Sequence, residues 1–499
     1  MTAYRLQSLV PEPPMRAFAL FAILSLPAAA GDYLVLTSVG AKDPYYAAAT
    51  AIADFHKAGA PVAFDPGQPD AILPKLKELK PAHVAIVLRP EEIDINLARR
   101  FLRVASQVDA DPFVDFDYGF ITGGTPDEAK AFVANIVRAS AVERPRTIGK
   151  GVVWGGDGGC KIDDTPYRAG SIEFPCHLLG FVAPDGKHGR DQKFIDENMP
   201  SLAGKGAVMF GGHGNPWEIG SGPRAEDVAK VSLFPAVVFN YACHTGVALK
   251  WHNEKYEADS IGHSIETIEP GKSFALSVIK AGATGYVAYV NPRPAGPELD
   301  IDFQRVLAGA SLGESRRQDW AKITLGYLGF GEKAIAAPDV VDGSKTPRKG
   351  MDIVRDMMLD GAAGGVLYGD PALRPFPGAS ATLPQSTEAK REGGVIRVTM
   401  KVAYASSFVW CSDPFRMDGK EMAMKVYDRI EVPKDFGDVA AATVESATWG
   451  KTALKTMPVL VAAEEDQGKR YLHLKVNFSR VENPGGDVMV VVCLKSKKR

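Results

Sequence analysis

The chain has 499 residues, of which 45% are apolar and 24% charged, and its net charge is −2. This is a globular composition, which excludes a disordered or membrane-embedded chain, and the near-neutral balance argues against nucleic acid or an anionic membrane as the main partner. The length predicts about two to four domains.

The first predicted element is an export signal. Met15-Arg16 supplies a positive start, Ala17 to Leu26 is an unbroken apolar run, and Ala28-Ala29-Ala30 offers a small-residue cleavage site before Gly31. That order describes a signal peptide over residues 1–30, and a start at Met15 would account for the odd upstream stretch. The alternative is a buried N-terminal helix. A run this short does not span a bilayer, which needs about 20 apolar residues, and no later stretch reads as a membrane span. The mature chain is expected at or near Gly31, exported to the periplasm, the cell surface or the medium.

From residue 31 to about 145, strand-like and helix-like segments alternate. DYLVLTS reads as a buried strand, YYAAATAIADFHKAG as a helix, APVAFDP as extended, AILPKLKELK as a helix and HVAIVLR as a strand. PDEAKAFVANIVRA then reads as a helix with proline at its start and acidic residues in its first turn. Such alternation predicts βαβ units and a mostly parallel sheet. A second α/β region is predicted over 146–378, with strands in TIGKGVVWG, GKGAVMFGGHG, FPAVVFNYAC and TGYVAYVN, a helix in SFALSVIKAG, and a strand and turn in VLYGDPALRPF. Residues 379–386 read as a linker. Past them, five β-type runs divided by Gly, Asp, Asn and Pro predict an antiparallel β-sandwich over 387–499, roughly 110 residues.

Chemistry concentrates in AVMFGGHGNPWE and AVVFNYACHTG. Each is an apolar run that stops abruptly in small and polar residues, which places His213 and Cys243 just past the carboxyl ends of two buried strands. Ligand and catalytic sites of open α/β sheets gather at that edge. Thirty residues separate the two, enough for a strand–helix–strand unit. A thiolate is a nucleophile, and a nearby imidazole can stabilise it or protonate a leaving amine. A carbonyl under attack becomes an oxyanion, for which the amides of Gly214 and Cys243 are candidate donors. The other cysteines fall into two segments, Cys160 with Cys176 and Cys411 with Cys493. An exported chain favours pairing, so those two disulfides are expected, with Cys243 left over as a reactive thiol. The alternative is that all five are small buried residues.

A His-Gly after one hydrophobic strand and an Ala-Cys after the next resemble the clan of cysteine peptidases that contains caspases, legumains and gingipains. The chain is most similar to the gingipain family, through GGHGNPW at 211–217, FNYACHTG at 239–246, IKAGATGYVAYVNP at 279–292, GDPALR at 369–374 and the earlier FDYGFITGGTPDEAKAFV. The resemblance covers residues 31–378 closely and the β region loosely. It implies a caspase-like, mostly parallel sheet in two α/β subdomains followed by an immunoglobulin-like β-sandwich. It also implies His213 and Cys243 as the catalytic pair, Gly214 and Cys243 as the oxyanion hole, and a protein or peptide substrate. His244, directly after the nucleophile, departs from the gingipain pattern. Asp157, Asp163 and Asp164 are candidates for a cationic-substrate pocket or for orienting His213, and Trp217 for a pocket wall or a core residue.

Other readings stand beside these. His213, Cys243 and His244 could ligate zinc, although neighbouring residues at a strand end point opposite ways. Asp115 and Asp117 alternate with apolar residues, and on one strand face they could help bind a structural calcium; a solvated face is the alternative. His252 and His263 are expected on a surface loop. No organic cofactor is implied. The expected function is a secreted cysteine endopeptidase acting through a Cys243 thioester. A silent peptidase-like binding module and a surface-attaching transpeptidase with the same dyad are the alternatives. A partner for the β-sandwich is not indicated.

Overall fold

A computed structural model describes residues 32–155, 159–169, 172–183, 190–257, 259–292, 299–328, 339–347, 363–378, 385–402, 424–478 and 486–497. The expected signal segment, Asp157, Cys411 and most of the expected linker lie outside these residues.

In the first segment the chain forms β1 (Tyr33–Thr37), α1 (Tyr46–His56), β2 (Val62–Ala63), α2 (Leu73–Leu79), β3 (His83–Val87), α3 (Ile95–Ala105), β4 (Asp117–Ile121) and α4 (Pro126–Ser140). The second segment adds β5 (Ile148–Gly155), β6 (Lys161–Asp163), β7 (Tyr167–Ala169), β8 (Ile172–Phe174), β9 (Cys176–Ala183), α5 (Gln192–Asn198), β10 (Ala207–Gly211), α6 (Ala225–Val228) and β11 (Val237–Asn240). It continues with β12 (Lys250–Tyr256), β13 (Ser260–Thr267), α7 (Phe274–Lys280), β14 (Gly285–Tyr289), α8 (Leu299–Leu307), α9 (Leu312–Leu328), β15 (Lys345–Pro347) and β16 (Gly365–Gly369).

Strands from both segments join one eleven-stranded sheet, in the order β2-β1-β3-β4-β16-β14-β11-β10-β5-β9-β6. The pairs β2-β1-β3-β4 and β14-β11-β10-β5-β9 are parallel; β14–β16 and β6–β9 are antiparallel. Parallel strands buried on both faces read as unbroken apolar runs, and the alternation of faces is visible in the packing. Val208, Phe210 and Val238 enter the core that α7 covers, whereas Met209, Val237 and Phe239 enter the one built with Phe303 and Leu307 of α8. Asp370, directly after β16, is buried and accepts hydrogen bonds from Tyr33 Oη at 2.8 Å and from His56 Nε2 at 2.9 Å. The GDPALR segment thus ties the sheet's last strand to its first.

The C-terminal region forms β17 (Gln385–Glu392), β18 (Val395–Val402), β19 (Met424–Val432), β20 (Val439–Trp449), β21 (Thr452–Ala453), β22 (Leu460–Asp466), β23 (Lys469–Phe478) and β24 (Val488–Ser496). Gln385 and Ser386, expected in the linker, already belong to β17. These strands make two antiparallel sheets, β17-β18-β24-β20-β21 and β19-β23-β22. Val398, Met400, Val490 and Trp449 from one sheet share a core with Leu474 and Val476 from the other. The region docks on α9 and on the loop before β4: Phe113 stacks on His473 at 3.8 Å, and Tyr427 packs with Ala321 and Leu325. Arg317 pairs with both Asp117 and Asp466, and Glu465 N–H donates to Asp111.

Three expectations are corrected here. Cys160 precedes β6 at the level of Phe181, because Lys161 pairs with Gly180. Cys176 opens β9 five residues earlier, roughly 16 Å away at about 3.3 Å per residue. A disulfide needs Cα atoms within about 7 Å, and both cysteines are free. In the second expected pair, Cys411 lies outside the described residues and Cys493 is free. Asp115 and Asp117 do not share a strand face, since β4 begins at Asp117. Asp117 turns to Arg317, while Asp115 accepts from Val108 N–H in the preceding loop. His252 is not on a surface loop. It lies in the β12–β13 hairpin, only 5% exposed, with Nε2 3.2 Å from Asp94.

Candidate active site

The parallel pairing of β10 and β11 sets Phe210 opposite Asn240. His213 and Cys243 each follow three residues later, so they leave the sheet at the same edge and in the same register. The two loops touch. A Cβ on Gly214 would sit 2.6 Å from Ala242 Cβ and 2.9 Å from the Cys243 carbonyl oxygen. Gly212 takes φ +134, a conformation glycine adopts without cost, and this turns the chain against Val153 of β5. His213 is exposed and Cys243 half-buried, and Cys243 carries a thiol outside any disulfide.

The Cys243 loop is held from below. Tyr241 N–H donates to Phe210 O, and Ala242 N–H to Asn240 Oδ1 at 3.0 Å. Thr245 Oγ1 donates back to Ala242 O. Tyr286 of β14 and Tyr368 of β16 donate their hydroxyls to the carbonyls of Thr245 and Gly246, at 2.9 and 2.6 Å. Gly246 N–H reaches Tyr289 O at 2.7 Å. Asn215 Oδ1 accepts from the N–H groups of Trp217 and Glu218, which shapes the turn after His213.

His244 points the other way from a ligand. It is buried at φ +59, and its Nδ1 accepts from Trp251 Nε1–H at 3.1 Å. Burial lowers its pKa to about 4, against a hydrogen bond to the Val290 backbone that favours the charged form. The imidazole is therefore neutral near pH 7, with both nitrogens engaged, and is not available to zinc. Among the described residues, no group of three or more His, Cys, Asp or Glu side chains is arranged as metal ligands.

The remaining predicted residues divide. Trp217 is half-buried against the main core, its ring 5.4 Å from and nearly perpendicular to that of Trp251. Asp164 belongs elsewhere: it bonds His177 at 2.7 Å, and His177 lies level with Gly149 and Val208. That is five residues short of His213 along the strands, roughly 16 Å, toward their amino ends. Asp163 opens the same turn by accepting from Thr165. Residues that the sequence reading passed over are Trp251, Val290 and Asn291, which surround His244; Asn291 O accepts its N–H at 3.2 Å. Asp94 was missed as well. Burial alone would raise its pKa, but hydrogen bonds from His252 and Lys250 hold it at about 2.

No family model and no curated protein matches the chain. Among the solved structures similar to it are two. One is the complex of Porphyromonas gingivalis RgpB pro- and mature domains, at 9% identity and TM-score 0.41, covering 93% of this chain and 100% of that chain. The other is a structure of a protease, at 9% identity and TM-score 0.42, covering 92% and 94%. Among the described residues no helix is long and apolar enough to cross a membrane.

Proposed function

We propose that the chain is an exported cysteine endopeptidase of gingipain-like type. In this reading the Cys243 thiolate attacks the scissile carbonyl, and the oxyanion that forms is met by the amides of Gly214 and Cys243. His213 protonates the departing amine, leaving a thioester on Cys243. Water then attacks the thioester, its proton passing to His213, and the carboxylic product leaves with the thiol restored. The C-terminal pair of sheets is read as an immunoglobulin-like sandwich that supports the peptidase region. The export reading rests on the Arg16, apolar and Ala28–Ala30 order of the N-terminus.

The observation that carries the proposal is the register of two neighbouring parallel strands. It sends a histidine and a thiol out at one edge, with Gly214 lying against Ala242 Cβ and the Cys243 carbonyl. A library of acyloxymethyl ketone peptides, which alkylate an activated thiolate, tests it. The label is expected on Cys243, and Cys243→Ala is expected to abolish both labelling and peptide cleavage. His213→Ala should lose roughly 10²–10⁴-fold in rate. Full cleavage by Cys243→Ala would end the assignment.

A further inference from the structure

Resting on the assignment of Cys243 as nucleophile, we propose that His244 is a positioning residue whose imidazole, packed against Trp251, fixes the orientation of Cys243 relative to the His213 loop. The backbone is the first reason. His244 sits at φ +59, in the left-handed region that a residue with a Cβ seldom adopts. Such a conformation persists only where the surroundings over-determine it, and here they do. Its N–H donates to Asn291 O, Nδ1 accepts from Trp251, and the other ring nitrogen is left to donate to the Val290 carbonyl. The left-handed turn is what lets His244 go inward while the adjacent Cys243 stays half-buried at the sheet edge.

The second reason is the reach of the ring cluster. Trp251 lies edge-on to His244 at 5.5 Å and to Trp217 at 5.4 Å. Trp217 follows His213 by four residues, so three rings bridge the loop of the histidine and the loop of the thiol. Trp251 is itself anchored, because Lys250 and His252 on either side of it bind the buried Asp94 at 2.6 and 3.2 Å. Asp94 is fixed in turn as the cap that accepts from Leu97 N–H at the start of α3. The role proposed for this chain of contacts is positional. It acts on where Cys243 lies, and a shift of about 1 Å in a reacting group is enough to cost roughly 100-fold in rate.

The test uses the full chain and one acyloxymethyl ketone chosen for its labelling of native Cys243. His244→Phe keeps a ring but loses both hydrogen bonds, and Trp251→Phe loses only the donor to Nδ1. His244→Asn tolerates the left-handed backbone and offers an oxygen near the Nδ1 position. For His244→Phe the maximal inactivation rate should fall at least tenfold, with the half-saturating probe concentration within threefold of native. Trp251→Phe should fall in the same sense, and it serves if His244→Phe does not fold. His244→Asn should recover most of the lost rate. Native rates in both phenylalanine variants, or a His244→Asn protein as slow as His244→Phe, would overturn the positioning role. Cys243→Ala runs alongside: persistent labelling there would refute the nucleophile itself, a result distinct from either outcome for His244.

Discussion

A methyl group added at Gly214 should separate the two loops that carry His213 and Cys243. Gly214 is absent from the positive-φ positions, so alanine meets no backbone penalty there. The obstacle is space: the new Cβ would lie 2.6 Å from Ala242 Cβ, 2.9 Å from Cys243 O and 3.1 Å from Thr245 Cγ2. Carbon atoms rest about 3.5–4.0 Å apart, so the loops must part by roughly 1 Å. Ala242 and Thr245 are buried and tied by their own hydrogen bonds, which leaves little slack. Overpacking of this kind costs about 1–3 kcal/mol. A displacement of that size at the reacting centre lowers the rate roughly 100-fold. Urea unfolding reads the first quantity and the rate of acyloxymethyl ketone labelling reads the second. Gly271→Ala is the control, because nothing lies within 4 Å of its Cβ position, and it should stay within about 0.5 kcal/mol of native. A Gly214→Ala protein with native stability and native labelling would refute the contact between the loops as the basis of the site.

Burial and the neighbouring Asp109 raise the pKa of Asp115 to about 8, and burial raises that of Asp111 to about 7. An unfolded aspartate titrates near about 3.9, so the folded state holds protons that the unfolded chain has released, and stability should fall as pH rises from about 4 to about 8. Asp115→Asn should flatten that slope, raising the melting temperature more at pH 8 than at pH 5; an equal change at both would contradict it. A chain ending at Gly378 should stay folded by circular dichroism and label at Cys243 within threefold of the full chain, because the C-terminal sheets contact α9 and the loop before β4. It should be less soluble and less stable, since it uncovers Phe113, Ala321 and Leu325 and leaves Arg317 without Asp466. A folded but unreactive fragment would mean that the C-terminal region helps build the site.

What could be read from the sequence follows from where the energy of each element lies. Strands β10, β11 and β14 are buried on both faces, so they appear as apolar runs, and their abrupt polar endings mark the sheet edge. The β12–β13 hairpin gave no such signal. His252 was expected on a surface loop, and what makes its segment a strand is pairing with β13 and with the distant Asp94. Helix α9 was unread for a related reason. Arg316, Asp319 and Lys322 suggest a solvated stretch, yet all three are buried. Arg316 pairs with Asp319 and, across to α8, with Asp302. Charge in a sequence predicts exposure only when the partner is water, and a partner on another helix leaves no local trace. Asp115 and Asp117 failed through phase: the alternation was real, but the strand starts two residues later than the pattern suggests.

The segments that hold the Cys243 loop are spread far along the chain. The loop of Cys243 contributes its own turn, but most of what holds it comes from elsewhere. β14 supplies the Tyr286 hydroxyl and the Tyr289 carbonyl, and the two residues after it supply the carbonyls that anchor His244. β16 supplies the Tyr368 hydroxyl. β16 in turn is fixed at its far end by Asp370, which reaches back to Tyr33 and His56 near the start of the described chain. A thiol and an imidazole on neighbouring strands meet an elementary requirement for acyl transfer, and short motifs suffice to find them. What holds the Cys243 loop in place is a set of carbonyl and hydroxyl contacts. Those contacts constrain the backbone more than side-chain identity, so they can be seen only once the strands are assembled.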